Sequence, residues 1–157
     1  MSQDGEVVSI YVAPQRAARM VEVRSVLAIA GQGLEGDRYA AGEGTFSGQS
    51  GTGREVTLIE SEAIEALARE YDVRIDPAES RRNIVTRGLS LNHLVGQEFR
   101  VGEVTLRGTR LCEPCGHLET LTGPGVRGGL VHRGGLRADI VAGGVIRTGD
   151  VATLTRR

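Results

Sequence analysis

The 157 residues are 39% apolar and 25% charged, with a formal charge of −1. That is globular composition, and a near-neutral balance argues against general nucleic-acid binding, which leaves a basic footprint. No apolar run approaches the ~18 residues of a spanning helix, and the acidic start Met1-Ser2-Gln3-Asp4-Gly5-Glu6 lacks the basic-then-apolar pattern of a signal peptide. These observations predict one domain over residues 1–157, cytoplasmic and without a membrane or nucleic-acid partner. All 19 basic residues are arginine, and lysine is absent. A PLP-dependent desulfurase holds its cofactor as a lysine Schiff base, so this chain alone cannot be one.

In chain order, Val7–Val12 opens as a β-type run and Met20–Val23 follows with alternating character. Gly42–Gly53 is a glycine-rich stretch that reads as a loop, either a lid or a linker. Val56–Ile59 is a short β-branched run. The only well-signalled helix begins at Ser61, a capping residue, with Glu62 in its positive first turn. Ile64, Leu67, Ala68 and Tyr71 share one face, and Glu65 and Arg69 form an i,i+4 pair on the other. A second short helix is possible near Ser90–Leu94. Phe99–Leu106 reads as a hairpin turning on Gly102-Glu103, Val141–Ile146 suggests another, and Val151–Leu154 closes as a strand. Many short strands, glycine turns and few helices predict a mainly β fold, a closed or nearly closed barrel.

Four segments could carry chemistry. The first, Leu111-Cys112-Glu113-Pro114-Cys115-Gly116-His117-Leu118, holds both cysteines. Its cysteines could be buried core residues or zinc ligands with His117 and His132. They could form a redox pair, though no βαβ pattern surrounds them. One of them could instead be a reactive thiolate serving as nucleophile, sulfur carrier or ligand to a soft metal. The second, Arg81-Arg82-Asn83, stands before a β-type run and could offer forked donors to a phosphate or an oxygen-rich ring. Side chains alternate along a strand, so one of the two arginines faces any given pocket. The third, Gly33–Tyr39, allows tight turns, with Asp37 and Arg38 able to cap or pair. The fourth, Val131–Ala138, puts His132, Arg133 and Arg137 on a glycine-shaped rim. Each of the last three also has a bland reading, as a solvated turn or a satisfied structural residue.

Taken in order, these segments resemble the MOSC domain family, named for the C-terminal part of molybdenum cofactor sulfurases. The resemblance rests on Gly33-Leu34-Glu35-Gly36-Asp37-Arg38, Arg81-Arg82-Asn83-Ile84-Val85 and Leu91-Asn92-His93-Leu94-Val95-Gly96. It continues in Cys112-Glu113-Pro114-Cys115, His132-Arg133-Gly134-Gly135-Leu136-Arg137-Ala138 and Gly149-Asp150. It spans nearly the whole chain and is closest in length to the small stand-alone members. The resemblance implies a β-barrel and one essential cysteine, by position Cys115, which ligates molybdenum where the molybdenum cofactor (molybdopterin) is bound. It also implies Arg81, Asn83 and Arg38 as cofactor-binding residues, to which the rim residues His132 and Arg133 are added. Cys112 lies outside the single-cysteine pattern and could be a disulfide or persulfide partner. The implied activity is reduction of N-hydroxylated or related N–O compounds with electrons from a separate reductase. The alternatives are a sulfur carrier, with a persulfide delivered to Cys115 by a separate PLP-dependent cysteine desulfurase, and a zinc-stabilised or structural binding module.

Overall fold

In a computed structural model, the described residues are 4–14, 19–37, 55–112, 129–130 and 133–155. Seven strands close a barrel. β1 (Gly5–Val12), β11 (Val151–Leu154), β7 (Glu98–Val101), β8 (Val104–Leu111), β9 (Leu136–Ala142), β5 (Val56–Glu60) and β6 (Ile84–Arg87) follow one another around the ring, and β6 pairs back to β1. β2 (Val21–Val23) adds an outer strand on β1. A smaller sheet orders β10 (Gly144–Arg147), β3 (Ser25–Ile29) and β4 (Gly33–Leu34). Closure leaves the ring strands without the unpaired edges that invite aggregation.

The one parallel strand pair among the described residues, β5 with β6, needs a crossover, and the helix supplies it. α1 (Ser61–Tyr71) follows β5 without a loop and buries Ala63, Ile64, Ala66 and Leu67. The amphipathic spacing therefore finds the right face. Tyr71, placed on that face by spacing, is 51% exposed. The cap position is Glu60, not Ser61, and no side chain caps the helix. Glu65 does not pair with Arg69: it reaches across to Arg87 on β6, while Arg69 pairs with Glu70 at 3.2 Å. An ion pair to the next strand pins the helix to the barrel, which a pair within one turn could not do.

Two apolar clusters result. Val7, Ile10, Val12, Leu58, Ile84, Phe99, Leu106 and Leu136 are among those filling the barrel. Tyr11, Ala13, Ile59, Val85, Leu67 and Leu130 pack between its outer wall and α1. β1 contributes to both because its side chains alternate, Ile10 and Val12 inward and Tyr11 outward, while its register against β6 shifts between Val7 and Ser9 and so brings Val7 to the inner side as well. That bulge changes which alternate residues face inward.

The hairpin at Gly102-Glu103 forms as read: Val101 pairs with Val104, and Gly102 takes φ +60°, a first-position demand that glycine meets without strain. The expected hairpin at 141–146 does not. β10 leaves the barrel after β9 and pairs with β3, Val145 opposite Leu27. The segment near Ser90 is a single 3-10 turn, Leu91–Leu94. The glycine-rich stretch 42–53 lies outside the described residues. Among the described residues, no helix is long and apolar enough to cross a membrane.

Candidate functional site

The segment Asp76–Asn83 folds for local reasons. Asp76-Pro77-Ala78-Glu79 makes a capping box with proline at the start, giving a 3-10 turn over Pro77–Ser80. The turn stops at Arg81, which takes φ +65°. This reversal delivers Arg82 and Asn83 to the start of β6.

Asn83 is wholly buried and its carboxamide is used inside the fold. Its Oδ1 accepts from the Thr57 amide at 3.0 Å and from Thr57 Oγ1 at 3.1 Å, and its Nδ2 donates to the Tyr11 carbonyl at 3.1 Å. Backbone bonds reinforce it, with the Tyr11 amide donating to the Asn83 carbonyl at 2.6 Å. Asn83 therefore pins β1 and β5 together at the entry to β6. Its influence on the neighbouring arginines comes through this placement.

Arg82 is 7% exposed and turns inward. Its Nε donates to the Gly134 carbonyl at 2.8 Å and its Nη2 to the Cys112 carbonyl at 2.9 Å. Cys112 itself is a buried free thiol at the end of β8, and its amide donates to the Gly135 carbonyl at 2.7 Å. Gly135, at φ +110°, lies so close to β5 that a Cβ would overlap the Leu58 carbonyl oxygen. The stems of the cysteine and rim motifs are thus neighbours, closed by one backbone rung and one guanidinium.

α1 holds the second stem from the other side. Leu130 is fully buried in the same cluster as Leu67. Arg133 makes a forked pair with Glu70, 2.8 Å from Nη2 to Oε1 and 3.3 Å from Nη1 to Oε2. The Arg133 hydrogen bonds hold the Glu70 carboxyl below the usual glutamate range, and the same contact raises Arg133. The described part of the third motif, Gly33–Asp37, arrives at the end of β1, where buried Asp37 accepts the Ala13 amide at 2.9 Å. Ala13 lies two residues beyond Tyr11, the partner of Asn83. An open groove of about 440 Å³ adjoins this corner, lined by Val12, Val23, Leu27, Glu35 and Gly36 among others.

The four motif segments converge on this corner through Asp37, Asn83, Arg82, Cys112, Gly134 and Arg133. Arg81 sits at the turn before it and is bonded within the fold. Cys115, Arg38 and His132 lie outside the described residues, as does His117. Sequence reading weighted Arg81 above Arg82 and did not see Glu70. Ile84 faces the barrel interior, and the strand period of two puts Arg82 on the same side, so the signal for Arg82 was present. The reach of Arg133 to Glu70 had no local signal, since the two are 63 residues apart.

A family model described as MOSC domain matches residues 46–153. No curated protein matches the chain. Among solved structures, YuaD from Bacillus subtilis superposes with a TM-score of 0.79 at 16% identity, covering 100% of this chain and 99% of that one. YiiM from Geobacillus stearothermophilus gives 0.74 at 16%, over 98% and 76%. YiiM from Escherichia coli gives 0.65 at 19%, over 97% and 70%. At these identities the likeness is one of fold.

Proposed function

The chain belongs to the MOSC domain family, and from that premise we propose that it binds the molybdenum cofactor with Cys115 as thiolate ligand and reduces N–O compounds. The observation that carries this reading is the convergence of the cysteine, Arg-Arg-Asn, Gly-Asp-Arg and His-Arg-Gly-Gly stems on one corner of the barrel. The donor chemistry fits. A molybdopterin is anionic and its metal takes soft sulfur ligands, and the corner carries a buried guanidinium that no described carboxylate neutralises. Arginine suits such a ligand better than lysine, because its planar fork matches phosphate and loses less hydration on burial.

In this reading Cys115 ligates the metal, and Arg81, Arg38 and His132 hold the phosphate and ring. Asn83 fixes where Arg81 and Arg82 stand. Arg133 reaches the ligand only by loosening from Glu70, so its part is to hold the rim segment against α1. The bound group would supply two-electron oxygen-atom abstraction, with electrons from a separate reductase. The chain's own residues bind and orient.

The test is production in a molybdenum-replete host, anaerobic purification, and metal and pterin analysis of wild type beside Cys115→Ser. Molybdenum in the wild type and its loss in the variant are expected. Absence of molybdenum from both sinks the proposal. A one-sulfur mass increment on Cys115 after incubation with cysteine and a desulfurase, in protein free of molybdenum, would put a sulfur carrier in its place.

A further inference from the structure

The end of β1 meets the small sheet across an open groove of about 440 Å³, a volume in the range of small-molecule sites. Its lining is mostly aliphatic, with Val12, Val23, Val26, Leu27 and Val145, and its polar side chains are Ser25 and Glu35. Leu27 and Val145 stand opposite each other across β3 and β10, so their side chains share one face of the small sheet. Leu27 is 40% exposed, so the fold leaves part of this wall in water.

The turn after β4 builds the rim. Leu34 is fully buried, and Gly36 takes φ +84°, which glycine adopts without strain. The Glu35 amide donates to the Leu27 carbonyl at 2.8 Å, and the Asp37 amide to the Leu34 carbonyl at 3.0 Å. Because the Asp37 carboxylate also accepts the Ala13 amide, the turn is held to β3 on one side and to the end of β1 on the other. Glu35 lies exposed between these anchors, and none of the ion pairs among the described residues includes it. It is the only charged residue in the described lining.

We propose that this groove binds a small apolar molecule carrying one ammonium group, the aliphatic wall taking the apolar body and Glu35 the cation. Charge complementarity selects the occupant. A neutral ligand covering the wall would partly desolvate the Glu35 carboxylate without pairing it, and an anion would be repelled. The anchored turn keeps the ordering cost of binding low. The described lining includes neither cysteine nor any arginine, so the proposal goes beyond the cofactor reading and stands whether or not the barrel holds molybdenum.

The test titrates phenethylamine, a cation at neutral pH, into the isotope-labelled protein beside phenethyl alcohol, its neutral isostere, and follows the backbone amides by NMR. Saturable shifts are expected at Val23, Leu27, Gly36 and Val145. The amine should bind about two- to fivefold more tightly than the alcohol, as one exposed ion pair gives, and added salt should narrow the gap. Glu35→Gln should erase the gap and leave alcohol binding as it was, whereas Leu27→Ser should weaken both compounds. Both substitutions are at exposed positions, where the fold tolerates them. Equal affinities for amine and alcohol in the wild type overturn the assignment to Glu35. Absence of shifts at these amides with either compound overturns the site. Shifts at the same amides on raising the protein concentration alone put a second copy of the chain in the groove and overturn the small-molecule reading.

Discussion

Asn83→Ala isolates what the buried amide contributes. The substitution removes the acceptor of both the Thr57 amide and the Thr57 hydroxyl and one donor to the Tyr11 carbonyl, all at a position with no exposed surface. An orphaned buried N–H costs about 1–3 kcal/mol, and loss of one neutral bond at a carbonyl that keeps a second lone pair about 0.5–1.5 kcal/mol. Thr57 Oγ1 still accepts the Asn83 amide but loses the acceptor of its own hydroxyl, about 0.5–1.5 kcal/mol more, so the sum falls near 2–6 kcal/mol, or about 4–24 °C of Tm for a chain this size. Asn83→Asp sharpens the test. Its second oxygen faces the Tyr11 carbonyl, which it can satisfy only when protonated, and burial raises a carboxyl pKa. The sign follows: a folded pKa above the unfolded one gives stability that is present at low pH and lost as pH rises through the folded value. Denaturant unfolding from about pH 4 to about pH 8 should therefore show Asn83→Asp converging on wild type in acid and falling away toward neutrality. A loss below about 1 kcal/mol in Asn83→Ala, or a flat difference for Asn83→Asp, refutes the staple.

Gly135→Ala should cost more than about 3 kcal/mol or prevent folding, because both its positive φ and the Leu58 carbonyl exclude a Cβ; a Tm within a few degrees of wild type would contradict that. Burial holds the Glu60 carboxyl above the usual glutamate range despite the Leu91 amide it accepts. Its contribution is thus present below the ordinary glutamate pKa and lost as pH rises through the folded value. Glu60→Gln keeps an acceptor without the charge, so its stability relative to wild type should grow from acid to neutral pH, as urea midpoints will show. Glu70 is shifted the other way, first by the Arg133 hydrogen bonds. Its contribution is present above the ordinary range and lost as pH falls, so Glu70→Gln should flatten the acid limb of the unfolding profile. A carboxyl titration of Glu70 by NMR that is unmoved by Arg133→Met would remove the pair from the account.

Much of the fold could be read because its signals are local. Val7–Val12, Val56–Ile59 and Val151–Leu154 are short β-branched runs, and each is a strand. Gly102-Glu103 specifies its own turn. β3 escaped notice because Ser25–Ile29 has no turn residue before it, and β4 is only two residues long. The false hairpin at 141–146 arose because Gly143-Gly144 looks like a turn. Gly143 instead lies so close to the Ala28 carbonyl that a Cβ would not fit, and the chain uses the pair to change sheets. The family likeness came through ordered motifs, and it located the corner. It could not assign tasks within that corner, because Arg81 and Arg82 are chemically identical until a turn with φ +65° separates them.

That separation explains why one corner can gather so much charge. A guanidinium taken out of water must recover its hydration from somewhere, and a carboxylate would do so while cancelling the charge. Arg133 takes that route with Glu70 and becomes a fastening. Arg82 takes the other, satisfied by two carbonyls, and no described carboxylate cancels its charge. Arg133 is tied to Glu70 on α1, and Arg82, at the root of β6, joins the Cys112 carbonyl at the end of β8 to the Gly134 carbonyl before β9. The difference between the two arginines is thus one of partners: a carboxylate for Arg133 and, among the described residues, neutral carbonyls alone for the buried Arg82 guanidinium.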